Sequence, residues 1–259
     1  MKITSFFITS LLFIASCRHS KSVTANNPIT GIIVERKFPM LDSFDAIQNK
    51  WVVREYRPLY SKIFSYGKKT LVQTNVAYRD TIKKPEDFQT LKYRYDRYYT
   101  FIFSEDSNVA ILCDSNNLQT LKIVDKDSML KKHWAFNSDR GEILRNNDHV
   151  LLSSETNKDG DIIERYSMKN KRDTTMIGSF FMVFSKKKLS NIKYSMAKDI
   201  EESRKMKLLK IEYTNYERRL QDNSLIQEIT IPYEIKELEI KDKDELLRMF
   251  NFSDSLMHK

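Results

Sequence analysis

Alternation with a period of two constrains the fold of this chain more than any other feature of its sequence. In segment 93–104, aromatic residues fill most odd-numbered positions, and polar residues fill most of the even-numbered ones. Successive side chains of a strand point to opposite faces of a sheet, so this pattern predicts an amphipathic strand. The aromatic residues predicted to share one face are Tyr93, Tyr95, Tyr99, Phe101 and Phe103, with Arg97 among them.

Further short strands follow, separated by residues that are typical of turns. Residues 177–184 are apolar on both faces, which is typical of a central strand covered from both sides. Pro232 lacks the N–H of a ladder hydrogen bond, so its strand is predicted to be an edge or bulged strand. Such close spacing favours antiparallel pairing, because parallel strands need long crossovers. Other strands are predicted at 72–78, 109–113, 142–145, 149–154, 161–168, 207–216 and 229–235, with turns at 105–108, 146–148 and 157–160.

Four short segments have features of helices. Asp242 followed by Glu245 resembles a capping box. Leu41, Phe44 and Ile47 recur at the spacing of one helix face. The candidate helices are 196–206 with Ser195 as its cap, 42–51, 127–134 and the segment after Asp242.

These segments together predict a mainly β fold. The expected architecture is a strongly curved antiparallel sheet or incomplete barrel with two to four short helices, and a two-sheet β-sandwich is the alternative. No internal repeat or low-complexity block divides the chain, so residues 31–259 are predicted to form a single β-rich domain. Cys113 lies in the apolar run 109–113 and is predicted to be a small hydrophobic core residue.

The first seventeen residues have the composition of an export signal. Lys2 gives a basic start, residues 6–15 are mostly apolar, and the sequence turns polar directly after Cys17. The apolar run has about 10 residues, whereas a helix that spans a bilayer needs about 20, so a signal peptide is predicted. The residues Leu12-Phe13-Ile14-Ala15-Ser16-Cys17 resemble the lipobox of bacterial lipoproteins.

This resemblance implies that residues 1–16 are removed and that Cys17 becomes the acylated N-terminus, carrying palmitate or a similar chain. Residues 17–30 then form a flexible tether. In the family, an aspartate after the cysteine retains a lipoprotein in the inner membrane, and Arg18 stands there instead. The resemblance therefore implies a lipoprotein of the outer membrane that faces the periplasm, held almost permanently by its acyl chains.

The basic excess of the chain does not indicate nucleic-acid binding. Its 44 Lys and Arg residues are interspersed with 35 Asp and Glu residues, and no recognition motif accompanies them. An ordinary charged surface is the favoured interpretation, and a weak attraction to anionic lipid head groups is the alternative. The expected partners are the membrane, reached through the lipid, and an envelope protein or an amphiphilic ligand.

The sequence contains no catalytic or metal-binding motif with the required spacing. The chain has 4 widely separated histidines and only 5 glycines, which disfavours zinc motifs, phosphate loops and nucleophile elbows. His149 beside Asp148 is interpreted as a surface residue, because strand neighbours point to opposite faces. Residues 157–161 resemble part of a calcium loop but lack its last acidic ligand, so a turn is favoured. No cofactor, metal site or catalytic residue is predicted.

The aromatic strand face leaves two interpretations open. It can fill the core of a protein without disulfides, which is the favoured one, or it can line an apolar cavity. Arg97 is expected to lie either at the sheet rim with a carboxylate partner or at the mouth of such a cavity. The sequence thus predicts a lipid-anchored binding or assembly module rather than an enzyme. The alternatives are a carrier or sensor of an amphiphilic ligand, and an envelope glycan or peptide hydrolase with paired carboxylates.

Overall fold

The computed structural model describes residues 28–41, 43–79, 93–114, 121–136, 148–170 and 175–257. The strands in these ranges are β1 (Thr30–Met40), β2 (Ser43–Asp45), β3 (Lys50–Val52), β4 (Glu55–Tyr66), β5 (Lys69–Arg79), β6 (Tyr93–Ser104), β7 (Val109–Asp114), β8 (Leu121–Asp125), β9 (Asp148–Thr156), β10 (Ile162–Lys169), β11 (Met176–Ser185), β12 (Lys207–Asn215), β13 (Arg218–Arg219), β14 (Leu225–Ile226) and β15 (Ile229–Glu237). The helices are α1 (Lys126–Lys132), α2 (Lys198–Arg204) and α3 (Lys243–Met257).

Eleven strands form one antiparallel sheet in the order β8-β7-β6-β5-β4-β1-β15-β12-β11-β10-β9. The sheet is not closed, because β8 and β9 form its two edges. Four short strands form a second sheet in the order β13-β14-β3-β2. The prediction of a mainly β, antiparallel fold with an unclosed sheet and a few short helices is therefore confirmed.

Tight turns join several pairs of neighbouring strands of the large sheet. The turns predicted at 105–108 and 157–160 connect β6 to β7 and β9 to β10. In the second turn, Asn157 Oδ1 accepts a hydrogen bond from the Asp161 backbone N–H at 2.9 Å, and Gly160 has a φ of 82°. Asp161 is paired with Lys188 at 2.8 Å. The segment that resembles a calcium loop is therefore a hairpin turn, and the strand predicted at 142–145 lies outside the described residues.

The sheet curves so strongly that strands from its two halves share one core. Phe101 on β6 and Phe180 on β11 belong to the same buried cluster. In a flat sheet their strands would lie roughly 29 Å apart, at about 4.8 Å per strand. Phe136, which follows α1, lies between them, because its ring is 6.1 Å from the Phe101 ring and it lines one cavity with Phe180. The main hydrophobic core therefore lies on the concave face of the sheet.

Part of the convex face is covered by α3. Leu71 of β5 belongs to a second apolar cluster around Phe250 of α3, whereas its neighbour Val72 belongs to the main core. Asp242 Oδ1 accepts a hydrogen bond from the Glu245 backbone N–H at 3.0 Å, as an N-cap does. The helix predicted after Asp242 is confirmed, and α1 confirms the helix predicted at 127–134.

The helix predicted at 42–51 is wrong, because the described part of this segment forms the hairpin of β2 and β3. The carboxylate of Asp45 accepts hydrogen bonds from the backbone N–H groups of Ile47 and Gln48 at 2.9 and 3.1 Å. This pattern closes a turn and competes with a helix. Phe44 and Ile47, whose spacing predicted a helix, are exposed, so no apolar core supports that conformation.

Two predictions about individual strands need correction. β15 is an interior strand rather than an edge or bulged strand, because it lies between β1 and β12. Tyr233 is the first residue of β15 that pairs with β1. Pro232 precedes it and pairs with Glu212 of β12, so the missing N–H of Pro232 lies outside the ladder with β1. β11 is a central strand, but Phe181 and Val183 on its second face are only partly buried.

Candidate ligand-binding cleft

Residues 133–136, which follow α1, divide the space over the concave face, and we call them the partition. His133 in the partition is 3% exposed. The Ala135 backbone N–H donates to His133 Nδ1 at 3.2 Å, so the neutral ring carries its proton on Nε2. That nitrogen lies 2.8 Å from Thr74 Oγ1, and this contact attaches the partition to β5.

Aromatic contacts hold the partition against β6 and against Tyr194, which lies in the segment between β11 and α2. The ring of Phe136 lies 6.1 and 6.2 Å from the rings of Phe101 and Phe103 on β6, and 5.4 Å from the Tyr194 ring. The Tyr194 hydroxyl donates to the Ala135 carbonyl oxygen at 2.5 Å. The partition is therefore fixed on two sides, and an apolar cleft remains on each side of it.

The first cleft has a volume of about 420 Å³ and lies between the partition, β10, β11 and α2. Its apolar walls are Phe136, Tyr166, Phe180, Met182, Met196, Ala197 and Ile200. The exposed polar residues that line it are His149, Lys198, Asp199, Ser203 and Arg204. Pockets of this volume and composition are typical of small-molecule sites, in which apolar walls hold the ligand and a few polar groups orient it.

A charged network connects α2 to the floor of the first cleft. Glu164 on β10 has a side chain that is 5% exposed, and its carboxylate lies 2.9 Å from Arg204 of α2. The Tyr166 hydroxyl donates to the same carboxylate at 2.6 Å. Burial, together with this hydrogen bond, raises the pKa of Tyr166 to about 12. Glu164 is therefore a paired structural carboxylate, and Tyr166 stays protonated at neutral pH.

A second buried pair fixes the chain before α2. Lys207 Nζ lies 3.1 Å from Glu201 of α2 and donates to the carbonyl oxygens of Ile192 and Tyr194. Glu201 also accepts the Met196 backbone N–H at 3.2 Å. Lys207 thus joins α2, β12 and the segment 192–196 into one wall.

Ser195 does not cap α2 as predicted. The helix begins at Lys198, and Ala197 occupies the N-cap position without a side-chain hydrogen bond. Ser195 Oγ is buried and has no hydrogen-bond partner in the described part of the chain, and the residue lines the first cleft. The serine identified as a helix signal is therefore part of the cleft lining.

His149 lies at the first cleft, a position that its neighbours in the sequence do not predict. It is exposed on the edge strand β9, and its ring lies 5.7 and 5.9 Å from the rings of Tyr166 and Phe180. The prediction of a surface histidine holds, but the cleft beside it depends on how α2 folds back over β10 and β11. No local sequence pattern around His149 predicts the contact between α2 and these two strands.

The second cleft, of about 380 Å³, lies on the other side of the partition, against β6, β7 and α1. Cys113 is 3% exposed here, and burial raises the pKa of its thiol, which fits the predicted small core residue better than a reactive thiol. Burial also raises the pKa of Tyr99 to about 12. The lining residues are Tyr99, Leu112, Cys113, Lys122, Met129, Lys132 and His133.

The predicted aromatic face therefore has two environments where the structure describes its side chains. Phe101 is fully buried and Phe103 nearly so, whereas Tyr99 lines the second cleft. The pairing of β5 with β6 shifts register between Val76 and Tyr78, so the alternation does not continue unbroken along β6. The side chains of Tyr93, Tyr95 and Arg97, and all of Cys17, lie outside the described part of the structure.

Within the described ranges, no group of three or more His, Cys, Asp or Glu residues is arranged to hold a metal ion. None of the helices described has both the length and the apolar character needed to cross a membrane. Comparison with protein-family models, with curated proteins and with solved structures finds no match to this chain.

Proposed function

We propose that this protein binds an amphiphilic ligand in the first cleft. The observation that carries the proposal is the distribution of groups in the lining: seven apolar side chains form the walls, and the exposed polar residues surround the opening. Burial of an acyl or similar chain against aromatic and methionine side chains is favourable, because apolar surface leaves water. The unpartnered hydroxyl of Ser195 offers a hydrogen bond to the ligand.

The charges at the cleft favour an anionic head group. Lys198 and Arg204 are the cationic residues of the lining, and Asp199 is its acidic residue. Lys198 faces Glu202 at 3.7 Å, but both side chains are largely exposed, so this weak pair leaves the Lys198 ammonium group accessible to a ligand. Arg204 keeps Glu164 paired, so this buried carboxylate does not present an isolated negative charge to the ligand. Carboxylates and phosphates accept strong hydrogen bonds from such cations. A fatty acid or a phospholipid fragment therefore fits better than a cationic amphiphile.

Replacement of Ile200 with glutamate is expected to weaken binding of a dansyl-labelled undecanoic acid at least about tenfold. Ile200 is partly buried and lines the first cleft, so the variant puts a charge against the apolar chain of the probe. Fluorescence titration of the parent and the variant measures the effect. Ile47→Glu is the control for an added glutamate, because Ile47 is 99% exposed and lies outside the cleft lining.

Three results would contradict the cleft assignment: failure of the parent to bind the probe, equal binding by Ile200→Glu, or equal loss in Ile47→Glu. Competition with unlabelled dodecanoic acid, dodecanol and dodecylamine tests the head group. We expect the acid to compete best and the amine worst, because of the cationic residues at the opening.

The proposal includes attachment to the outer membrane through Cys17, facing the periplasm. The lipobox-like residues before Cys17 support it. Bacteria that express the chain are expected to incorporate labelled palmitate into it and to retain it with membranes, and Cys17→Ser should abolish both. The chain has 2 cysteines, so Cys113→Ser is the matched control and should keep the label. Recovery of unlabelled soluble wild-type protein that begins at another residue would refute the anchor.

A further inference from the structure

Five of the ten exposed large hydrophobic side chains in the described part of the chain lie at one end of the fold, formed by the C-terminus of β1, the N-terminus of β4 and the hairpin of β2 and β3. Ile47, in the turn of that hairpin, is 99% exposed, and Phe44 beside it is 45% exposed although its ring contacts Trp51 at 5.1 Å. We call this group the apolar tip, and its members are Phe38, Leu41, Phe44, Ile47 and Tyr56.

Hydrogen bonds fix the turn that carries Ile47. Asp45 Oδ1 accepts the N–H groups of Ile47 and Gln48, and Asn49 follows with a φ of 51°. The Leu225 N–H donates to the Asn49 carbonyl oxygen at 2.9 Å, which fixes the turn against β14. A fully exposed isoleucine on an ordered turn is unusual, because turns usually carry polar or small residues. Its exposure therefore points to a ligand surface outside the molecule.

Cationic side chains surround the apolar tip. Lys37, Arg54, Arg218 and Arg219 are exposed, and none pairs with a carboxylate in the part of the chain that the structure describes. Of the described acids near the tip, Glu55 is paired with Arg57 and Glu217 with Lys50, whereas Asp45 binds backbone N–H groups and keeps its charge. The tip therefore carries exposed apolar side chains together with four cations that no described carboxylate pairs with, which outnumber the carboxylate of Asp45, for which the structure describes no cationic partner.

We propose that the apolar tip contacts the surface of an anionic lipid bilayer. Apolar side chains that enter the boundary of the acyl chains, together with lysine and arginine at the head groups, are the two contributions that hold peripheral proteins on anionic membranes. Ile47 protrudes, and a deformable lipid surface accepts a protruding side chain without a preformed pocket. The proposal concerns a surface separate from the first cleft, so it goes beyond ligand binding and does not depend on it.

The test uses the chain from residue 18, which retains every residue that the structure describes and carries no acyl group. Co-sedimentation is measured with phosphatidylcholine vesicles and with vesicles that contain roughly one third phosphatidylglycerol, which gives a negative surface. We expect binding to the anionic vesicles that weakens with added salt, and much less binding to the neutral ones.

Ile47→Glu is expected to lower the bound fraction on anionic vesicles about tenfold, because one buried isoleucine contributes strongly to partitioning. Ile123→Glu is the matched control, since Ile123 is 65% exposed on the edge strand β8, and it should bind like the parent. Arg218→Gln combined with Arg219→Gln should reduce binding to anionic vesicles and leave binding to neutral ones unchanged. Circular dichroism checks that each variant keeps its fold.

The proposal is overturned if the parent does not bind anionic vesicles, or if Ile47→Glu binds them as well as the parent. A dimer in sedimentation velocity that Ile47→Glu dissociates, without vesicle binding, would assign the apolar tip to a second copy of this chain and also overturn it. Ile200→Glu should keep full vesicle binding, so a failure of this proposal is distinguishable from a failure of ligand binding in the first cleft.

Discussion

Replacement of Lys207 with methionine is expected to lower the free energy of unfolding by about 3–5 kcal/mol, a large part of the usual stability of a domain. The ammonium group is 3.1 Å from Glu201, and the two side chains are only 8% and 11% exposed. The variant leaves the Glu201 carboxylate buried without its cation, and the carbonyl oxygens of Ile192 and Tyr194 lose a donor. Urea unfolding followed by circular dichroism measures the loss.

Helix α2, which carries Glu201, also supplies a matched control for this prediction. Lys198 faces Glu202 at 3.7 Å, with side chains 78% and 67% exposed, so Lys198→Met should cost less than about 1 kcal/mol. The double variant Lys207→Met with Glu201→Gln should recover part of the stability, because it removes the isolated charge. Equal costs for Lys207→Met and Lys198→Met would show that the buried pair does not hold this wall of the first cleft.

Replacement of Phe101 with alanine is expected to lower the free energy of unfolding by about 3–5 kcal/mol, the usual range for removing a buried ring. Phe101 is 0% exposed, and its ring lies 5.1 Å from His133 and 6.0 Å from Phe103, so no open cavity reduces the loss of contacts. Chemical unfolding of the variant gives the value. Removal of a ring that lined an open cleft would lower the free energy of unfolding clearly less, because such a ring already lacks contacts on one side.

Phe38→Ala is the control for the removal of a phenyl ring. Phe38 is 40% exposed at the end of β1, so this variant should cost less than about 1.5 kcal/mol. A nearly neutral Phe101→Ala would contradict the packed core of the concave face. It would also extend the ligand-binding region to β6.

The strands could be predicted because their signal is local. Turn residues such as Asn157 and Gly160 specify a hairpin within a few positions, and alternation along a strand shows which side faces the core. The hairpin of β2 and β3 was missed because Phe44 and Ile47 are spaced as on a helix but face solvent. Hydrophobic periodicity predicts secondary structure only when the apolar face is buried.

The first cleft could not be predicted, because its lining comes from segments far apart in the chain. Phe136 follows α1, Phe180 lies on β11, and Ile200 lies on α2. Their meeting depends on the curvature of the sheet and on the pair formed by Lys207 and Glu201, neither of which leaves a local pattern in the sequence. An amphiphile in an apolar cavity was one of the alternatives that the sequence left open, and it is the class of ligand that we propose for the first cleft.

Photolabelling with a fatty acid that carries a diazirine in its chain locates the ligand on the protein and so tests binding in the first cleft. After irradiation and digestion, mass spectrometry locates the adducts along the chain. Binding in the first cleft predicts adducts in peptides that contain Phe136, Met182 or Met196, and their loss when excess dodecanoic acid competes. Adducts confined to other segments, or labelling that excess acid does not reduce, would contradict the proposed ligand site.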